Sequence, residues 1–224
     1  MKVGSPVGRP LAASFVAIEG PIGVGKTSLA RRLALALGAE ALLEEPEENP
    51  FLGRFYANRQ TYALPVQLFF LFQRLRLLDG MQQADLFQAG VIADFLWAKD
   101  RVFARLNLDD DEWRLYEQIA SRIAPPARAP DLVIFLQAPV ETLLERVRRR
   151  NREHERIDRD YLRALSEAYT TFFHGYQESP LLMVNAADAN FVESDEDLQS
   201  LVDYVRTIRS GRHFFNPLAS RLMS

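Results

Sequence analysis

Five short apolar runs punctuate the chain: ASFVAIE (13–19), ALLEE (41–45), GVIADF (90–95), DLVIFLQA (131–138) and LLMVNA (181–186). Four of them are almost continuously hydrophobic, the signature of parallel strands covered on both faces rather than of half-exposed ones. Between the runs, apolar residues recur at spacings of three and four, which predicts helices. KTSLARRLALALG (26–38) ends in a glycine suited to a C-cap. A long helix is predicted over 62–83, with Pro65 near its start, and another over 109–124, opened by three aspartates that suit a helix N-terminus. Further helices are predicted over 139–150, 158–177 and 194–210. Strands alternating with helices define an α/β fold, a doubly wound parallel sheet of five strands flanked by helices. APPARAP (124–130) reads as a loop, and no internal repeat or low-complexity linker divides the chain. Residues 1–12 are read as an N-terminal tail, 13–210 as one domain, and 211–224, with its HFF, as a C-terminal tail.

Composition narrows the class. The 224 residues carry a formal net charge of −3, so no overall positive field favours nucleic acid. There is no cysteine, which excludes disulfides and thiolate zinc sites. No apolar run approaches the ~20 residues that span a bilayer, and residues 1–12 lack the apolar segment of a secretory signal. A cytoplasmic protein without membrane contact is expected. Only three of the 27 basic residues are lysines, Lys2, Lys26 and Lys99, so a lysine here is informative.

Lys26 lies in the stretch that carries the clearest chemistry. GPIGVGKT is G-x-x-x-x-G-K-T, running from Gly20 through Gly23, Val24 and Gly25 to Lys26 and Thr27, with Ser28 next. A strand precedes it and a helix follows, the context a phosphate-binding loop requires. Glycines let successive N–H groups turn toward an anion, and the helix N-terminus adds roughly half a positive charge. Lys26 is expected to reach the β- and γ-phosphates of a nucleoside triphosphate, and Thr27 to ligate Mg²⁺. No N-K-x-D guanine-reading motif and no L-S-G-G-Q transporter signature occurs. The second strand runs into LLEEPEENPFLGRFY, at the sheet's carboxyl rim where ligands sit in open α/β folds. A carboxylate there is placed to take a proton from an attacking hydroxyl.

These pieces together resemble the deoxynucleoside kinases, the group of deoxycytidine, deoxyguanosine and bacterial deoxyadenosine kinases, over roughly residues 14–205. IEGPIGVGKT is similar to that family's phosphate loop, and EEPEENPFLGRFY to its Glu-Pro segment, with a flavour of the bacterial purine-preferring members. The resemblance makes Glu45, directly before Pro46, the expected general base, with Glu44 as the fallback. It assigns Gln67 and Arg74, seven residues apart and so on one helical face, to the nucleobase edge. Tyr56 falls to the sugar 3′-hydroxyl, and Asp100 pairs with Arg74. Asp94 matches the family's acidic residue and, at a strand end, joins Thr27 as a metal ligand. Phe95 departs from the pattern: it stands where the family has an arginine, and Lys99 is the nearby candidate to replace it.

The resemblance also reads ERVRRRNREHERIDRDYL as an arginine-rich lid, about residues 148–158. Arg148, Arg150 and Arg152 are expected to close over the triphosphate, with Glu155 or Glu153 at the 3′-hydroxyl. VNAADANF supplies Asn185, Asp188 and Phe191 for the adenine of ATP. The expected activity is transfer of the γ-phosphate of ATP, with Mg²⁺, to the 5′-hydroxyl of a deoxynucleoside, purines preferred, by a homodimer joined through helices like 62–83. The alternatives are a nucleoside monophosphate kinase resembling thymidylate kinase, whose phosphorylated acceptor calls for an arginine where Phe95 stands, and a nucleotide-binding protein with weakened catalysis.

Overall fold

The computed structural model of the chain describes residues 15–83, 90–124, 129–150, 157–187, 189–191 and 193–217. Its sheet holds six strands, all parallel, in the order β2-β3-β1-β4-β5-β6: β1 Phe15–Glu19, β2 Glu40–Leu42, β3 Val91–Ala93, β4 Leu132–Gln137, β5 Leu181–Asn185 and β6 Arg212–Phe215. The five expected strands are present, and the sixth corrects the five-stranded expectation. Arg212–Phe215, expected as part of a tail, pairs along β5 with His213 opposite Leu182. Phe215 is buried there, while Phe214 on the opposite face is 72% exposed.

Central β1 shows why the strands read as unbroken apolar runs. Successive side chains alternate faces, and both faces are covered. Val16 and Ile18 pack with Leu29 and Leu33 of α1 (Lys26–Leu37) and with Leu201 and Val205 of α8 (Asp195–Thr207). Ala17 faces the other side, with Val133, Phe135, Tyr169 and Phe173. The last two lie on α7 (Arg159–Gly175), where the Phe173 ring stacks on Phe135 at 4.3 Å. By the same parity Glu19 points to the α7 side, and its carboxylate is fully buried.

Between β2 and β3 lie α2 (Leu52–Ala57) and α3 (Arg59–Gln83). The long helix begins three residues earlier than its periodicity suggests, so Pro65 is interior to it. Having no N–H, Pro65 forgoes one bond to the preceding turn. After β3, a 3₁₀ turn at Trp97–Lys99 leads into α4 (Asp100–Asn107), a helix the sequence pattern did not separate from the strand. Next comes α5 (Asp110–Ile123), started by a reciprocal capping box between Asp109 and Glu112. α6 (Val140–Arg150) follows β4. No described helix is long and apolar enough to cross a membrane.

Candidate active site

A cavity of about 960 Å³ opens at the carboxyl ends of β1, β2 and β3. It lies near the upper end of the range for small-molecule sites, ~300–1,000 Å³. The phosphate loop forms its floor, with Gly23, Val24, Gly25, Lys26, Thr27 and Ser28 all contributing. Two glycines are fixed by close approach. A Cβ on Gly20 (φ 151°) would lie 2.5 Å from the carbonyl oxygen of Leu136, and one on Gly23 (φ 85°) 2.8 Å from that of Leu143. Lys26 Nζ donates to the carbonyl of Gly20 at 2.8 Å and reaches that of Pro21 at 3.4 Å. Burial pushes its ammonium down to about 8, with Glu19 acting in the opposite direction.

Thr27 Oγ1 donates to Asp94 Oδ2 at 2.5 Å, and Asp94 Oδ1 accepts from the backbone N–H of Glu44 at 2.8 Å. The Asp94 carboxylate therefore ties the start of α1 to the chain just past β2 and β3. Burial, and then the neighbouring Glu44, raise its pKa above the ordinary range.

Beyond Asp94 the structure distinguishes two adjacent carboxylates. Glu44 turns inward: Oε1 accepts from Arg74 Nε, and Oε2 lies 3.9 Å from Lys99 Nζ. Burial acts to raise its pKa, but Arg74 and then Lys99 outweigh that and hold it below the ordinary value. Glu45 lines the outer rim and is exposed, its pKa raised by a hydrogen bond and repulsion from Glu48. The inward carboxylate is thus the fallback Glu44 and not Glu45. Strand parity explains this. Leu42 packs with Leu78 of α3, Leu43 packs on the opposite side with the α1 cluster, and Glu44 returns to the α3 face, where Arg74 lies one turn from Leu78.

Arg74 bridges Glu44 and Asp100, lying over the Phe70 ring at 5.5 Å. Burial works against its charge, yet the two carboxylates hold its pKa above the ordinary value. Asp100, at the start of α4, also accepts from Gln67 Nε2 at 2.7 Å and from the Tyr116 hydroxyl. Gln67, Arg74 and Tyr56 line the cavity as expected of substrate contacts, whereas Asp100 lies behind them as the anchor of Gln67 and Arg74. Phe95 is buried among Phe15, Leu78 and Met81, away from the cavity.

The loop after β5 lines the cavity with Ala186, Ala187, Ala189, Asn190 and Phe191. Asn185 does not: its Oδ1 accepts from the N–H of Ala187 at 3.0 Å, a local turn that spends the side chain on its own backbone. Asp188 lies outside the described residues, as do Arg152, Glu153 and Glu155. In α6, Arg149 and Arg150 line the cavity and Arg148 does not, because residues at every second position cannot share a helical face. Arg146, one turn earlier, was missed by the sequence reading. It donates to the carbonyls of Ala186 (2.8 Å), Ala187 (3.3 Å) and Val24 (3.3 Å), binding α6, the loop after β5 and the glycine loop together. Spacings of three and four from Arg149 and Arg150 would have revealed it.

A parallel α/β sheet, a G-x-x-x-x-G-K-T loop between strand and helix, and an inward carboxylate on the same cavity are the features of a phosphate-loop nucleotide-binding protein. The family model for deoxynucleoside kinase matches residues 16–209. A deoxyguanosine kinase of Bacillus subtilis is 31% identical over 202 residues, spanning 88% of this chain and 98% of that protein. A deoxyadenosine kinase of Dictyostelium discoideum is 32% identical over 201 residues, spanning 86% of this chain and 80% of that one. Among solved structures, the deoxyadenosine kinase from M. mycoides with bound dATP shares the fold, with a TM-score of 0.75 at 22% identity over 87% of this chain and all of that one. The chain belongs to the deoxynucleoside kinase family, and is an ATP-dependent nucleoside kinase.

Proposed function

We propose that the chain transfers the γ-phosphate of ATP to the 5′-hydroxyl of a purine deoxynucleoside, deoxyadenosine or deoxyguanosine, with Glu44 as general base. The observation that carries the reading is the convergence of Glu44, Arg74 and the phosphate loop on one cavity large enough for both substrates. Glu44 takes the hydroxyl proton as the oxygen attacks the γ-phosphorus, the bond to the bridging β,γ-oxygen breaks, and ADP leaves. Lys26 holds the β- and γ-phosphates, and Arg149 and Arg150 approach them from α6, with Arg152 expected to join. Gln67 and Arg74 meet the nucleobase, fixed by Asp100, and Tyr56 meets the sugar, with Glu155 as its expected partner. Phe191 and Asn190 flank the adenine of ATP.

Mg²⁺ fits Thr27 Oγ1 and Asp94 Oδ2, oxygen donors held together beside the loop. When bound, it would neutralise charge on the β- and γ-phosphates. The purine preference is supported by the substrates named for the Bacillus subtilis and Dictyostelium discoideum relatives. A phosphorylated acceptor would bring further negative charge against Glu44 and Asp94, which disfavours a nucleoside monophosphate kinase. Homodimerisation is supported by Phe72 on α3 and Leu115 on α5, large apolar side chains that remain exposed on helices that pack together.

The test is an ATP-coupled assay over the four deoxynucleosides and their monophosphates. Turnover with deoxyadenosine or deoxyguanosine at the highest kcat/KM supports the reading. Turnover confined to monophosphates, or a pyrimidine substrate preferred over both purines, overturns it.

A further inference from the structure

Lys99 is 3% exposed, and three contacts fix its position. Its Nζ lies 3.3 Å from Glu19 Oε1, 3.9 Å from Glu44 Oε2 and 5.3 Å from the centroid of the Phe103 ring. The side chain lines the cavity. A buried lysine beside a buried glutamate is ordinarily read as the neutralising half of a structural pair. That account is incomplete here, because the Glu19 carboxylate already accepts from Leu96 N (2.8 Å), Gly20 N (3.1 Å) and the Tyr169 hydroxyl (3.0 Å). An ammonium has three donors, and Glu19 uses one.

The separation from Glu44 is the informative distance. At 3.9 Å, Nζ and Oε2 are too far apart for a direct hydrogen bond. They are correctly spaced for one oxygen atom at about 2.8 Å from each. The other Glu44 oxygen is occupied by Arg74, so Oε2 is the one left to take a proton. Lys26, the other cavity lysine, is turned to the carbonyl of Gly20 in the phosphate loop, and Arg74 is engaged by two carboxylates. Phe95, at the tip of β3, is committed to the core and offers nothing polar.

We propose that Lys99 is a catalytic residue that donates a hydrogen bond to the attacking hydroxyl oxygen, which sits between Lys99 Nζ and Glu44 Oε2. In the reaction the O–H bond breaks toward Glu44, the O–P bond to the γ-phosphorus forms, and the bond from the γ-phosphorus to the bridging oxygen breaks to release ADP. Lys99 keeps its proton and steadies the negative charge that develops on the attacking oxygen. The inference rests on Glu44 as base, and extends it by completing the hydroxyl's site.

The test pairs an activity readout with one that needs no turnover. Lys99→Met is compared with wild type, and Glu19→Gln/Lys99→Met with Glu19→Gln, so that in the double variant Glu19 is not left as a buried charge without Lys99. Loss of Lys99 is expected to lower kcat at least tenfold in both backgrounds, with ATP affinity within threefold. Calorimetry then compares the best deoxynucleoside substrate with its 5′-deoxy analogue, which lacks the attacking hydroxyl. Wild type is expected to bind the hydroxyl-bearing compound about tenfold more tightly, and the Lys99 variants to bind both alike. A kcat change below tenfold in the Glu19→Gln background overturns the proposal, as does a hydroxyl preference that survives loss of Lys99 or is absent in wild type. If Lys99→Met does not fold, the Glu19→Gln pair gives both readouts. Failure of Glu44 as base would appear separately, as a Glu44→Gln protein of near-normal kcat.

Discussion

Replacing Glu44 with glutamine tests the site directly, because the neighbouring Glu45 provides an internal control one residue away. The amide keeps the length of the side chain and an oxygen able to accept from Arg74 Nε, so the local geometry has little reason to move. Arg74 retains Asp100, and Lys99 retains Glu19, so neither cation is left uncompensated. The loss of one partner in this network is therefore expected to cost less than the ~3–5 kcal/mol of breaking an isolated buried pair. The chemical step has no such fallback. A positioned general base contributes ~10²–10⁴-fold, or about 3–5 kcal/mol of barrier. Glu44→Gln should thus lower kcat by that factor, with ATP affinity and melting temperature nearly unchanged. Glu45→Gln should retain kcat within about twofold, since its carboxylate is exposed and paired with Glu48. A coupled pyruvate kinase–lactate dehydrogenase assay with deoxyadenosine measures both. If Glu45→Gln is the variant that loses activity and Glu44→Gln keeps it, the assignment from side-chain direction is wrong.

Gly23→Ala must place a methyl 2.8 Å from the Leu143 carbonyl at a φ of 85°, a strain of ~1–3 kcal/mol. Titration with a fluorescent ATP analogue should show affinity reduced at least tenfold, and unchanged affinity would refute the close approach. Asp158 caps α7 by accepting from Tyr161 N at 2.7 Å, so Asp158→Ala should destabilise by ~1 kcal/mol. That hydrogen bond, and then Arg59, hold the Asp158 carboxyl below its ordinary pKa. Its contribution is therefore complete above the unfolded-state value and lost as pH falls through the folded one. Thermal melts should show the gap between wild type and variant closing in acid, and a gap that persists there would contradict the cap. Phe72→Asp should convert the proposed dimer to monomer in light scattering, while a mass unchanged from wild type would remove that face from the interface.

The alternation of strands and helices was legible because parallel strands are buried on both sides, and the phosphate loop because its glycines are demanded by backbone approach. Residues whose meaning depends on direction were harder. Glu44 and Glu45 are chemically identical neighbours, and only the parity inherited from Leu42 and Leu43 separates them. That information is present in the sequence but is hidden once β2 is treated as one apolar run. The arginines of α6 were read with a spacing of two, which places Arg148 toward the site. Helical geometry instead selects Arg146, Arg149 and Arg150. β6 was missed because four residues with two adjacent phenylalanines show no clear alternation, and its pairing depends on β5, some thirty residues away. Asp100 was identified correctly as the partner of Arg74, but its further ties to Gln67 and Tyr116 come from the fold and not from spacing.

The late strand has a consequence for how this enzyme is handled. β6 shields the outer edge of β5, and β5 delivers the chain directly into the loop that borders the end of the cavity proposed for ATP. Cutting the polypeptide before Arg212 would strip that edge and loosen the mooring of Ala186 and Ala187, which Arg146 grips through their carbonyls. On the proposed placement of the two substrates, a truncation made only to tidy the terminus would thus register as a weakened hold on the phosphate donor, with the acceptor end of the cleft left untouched.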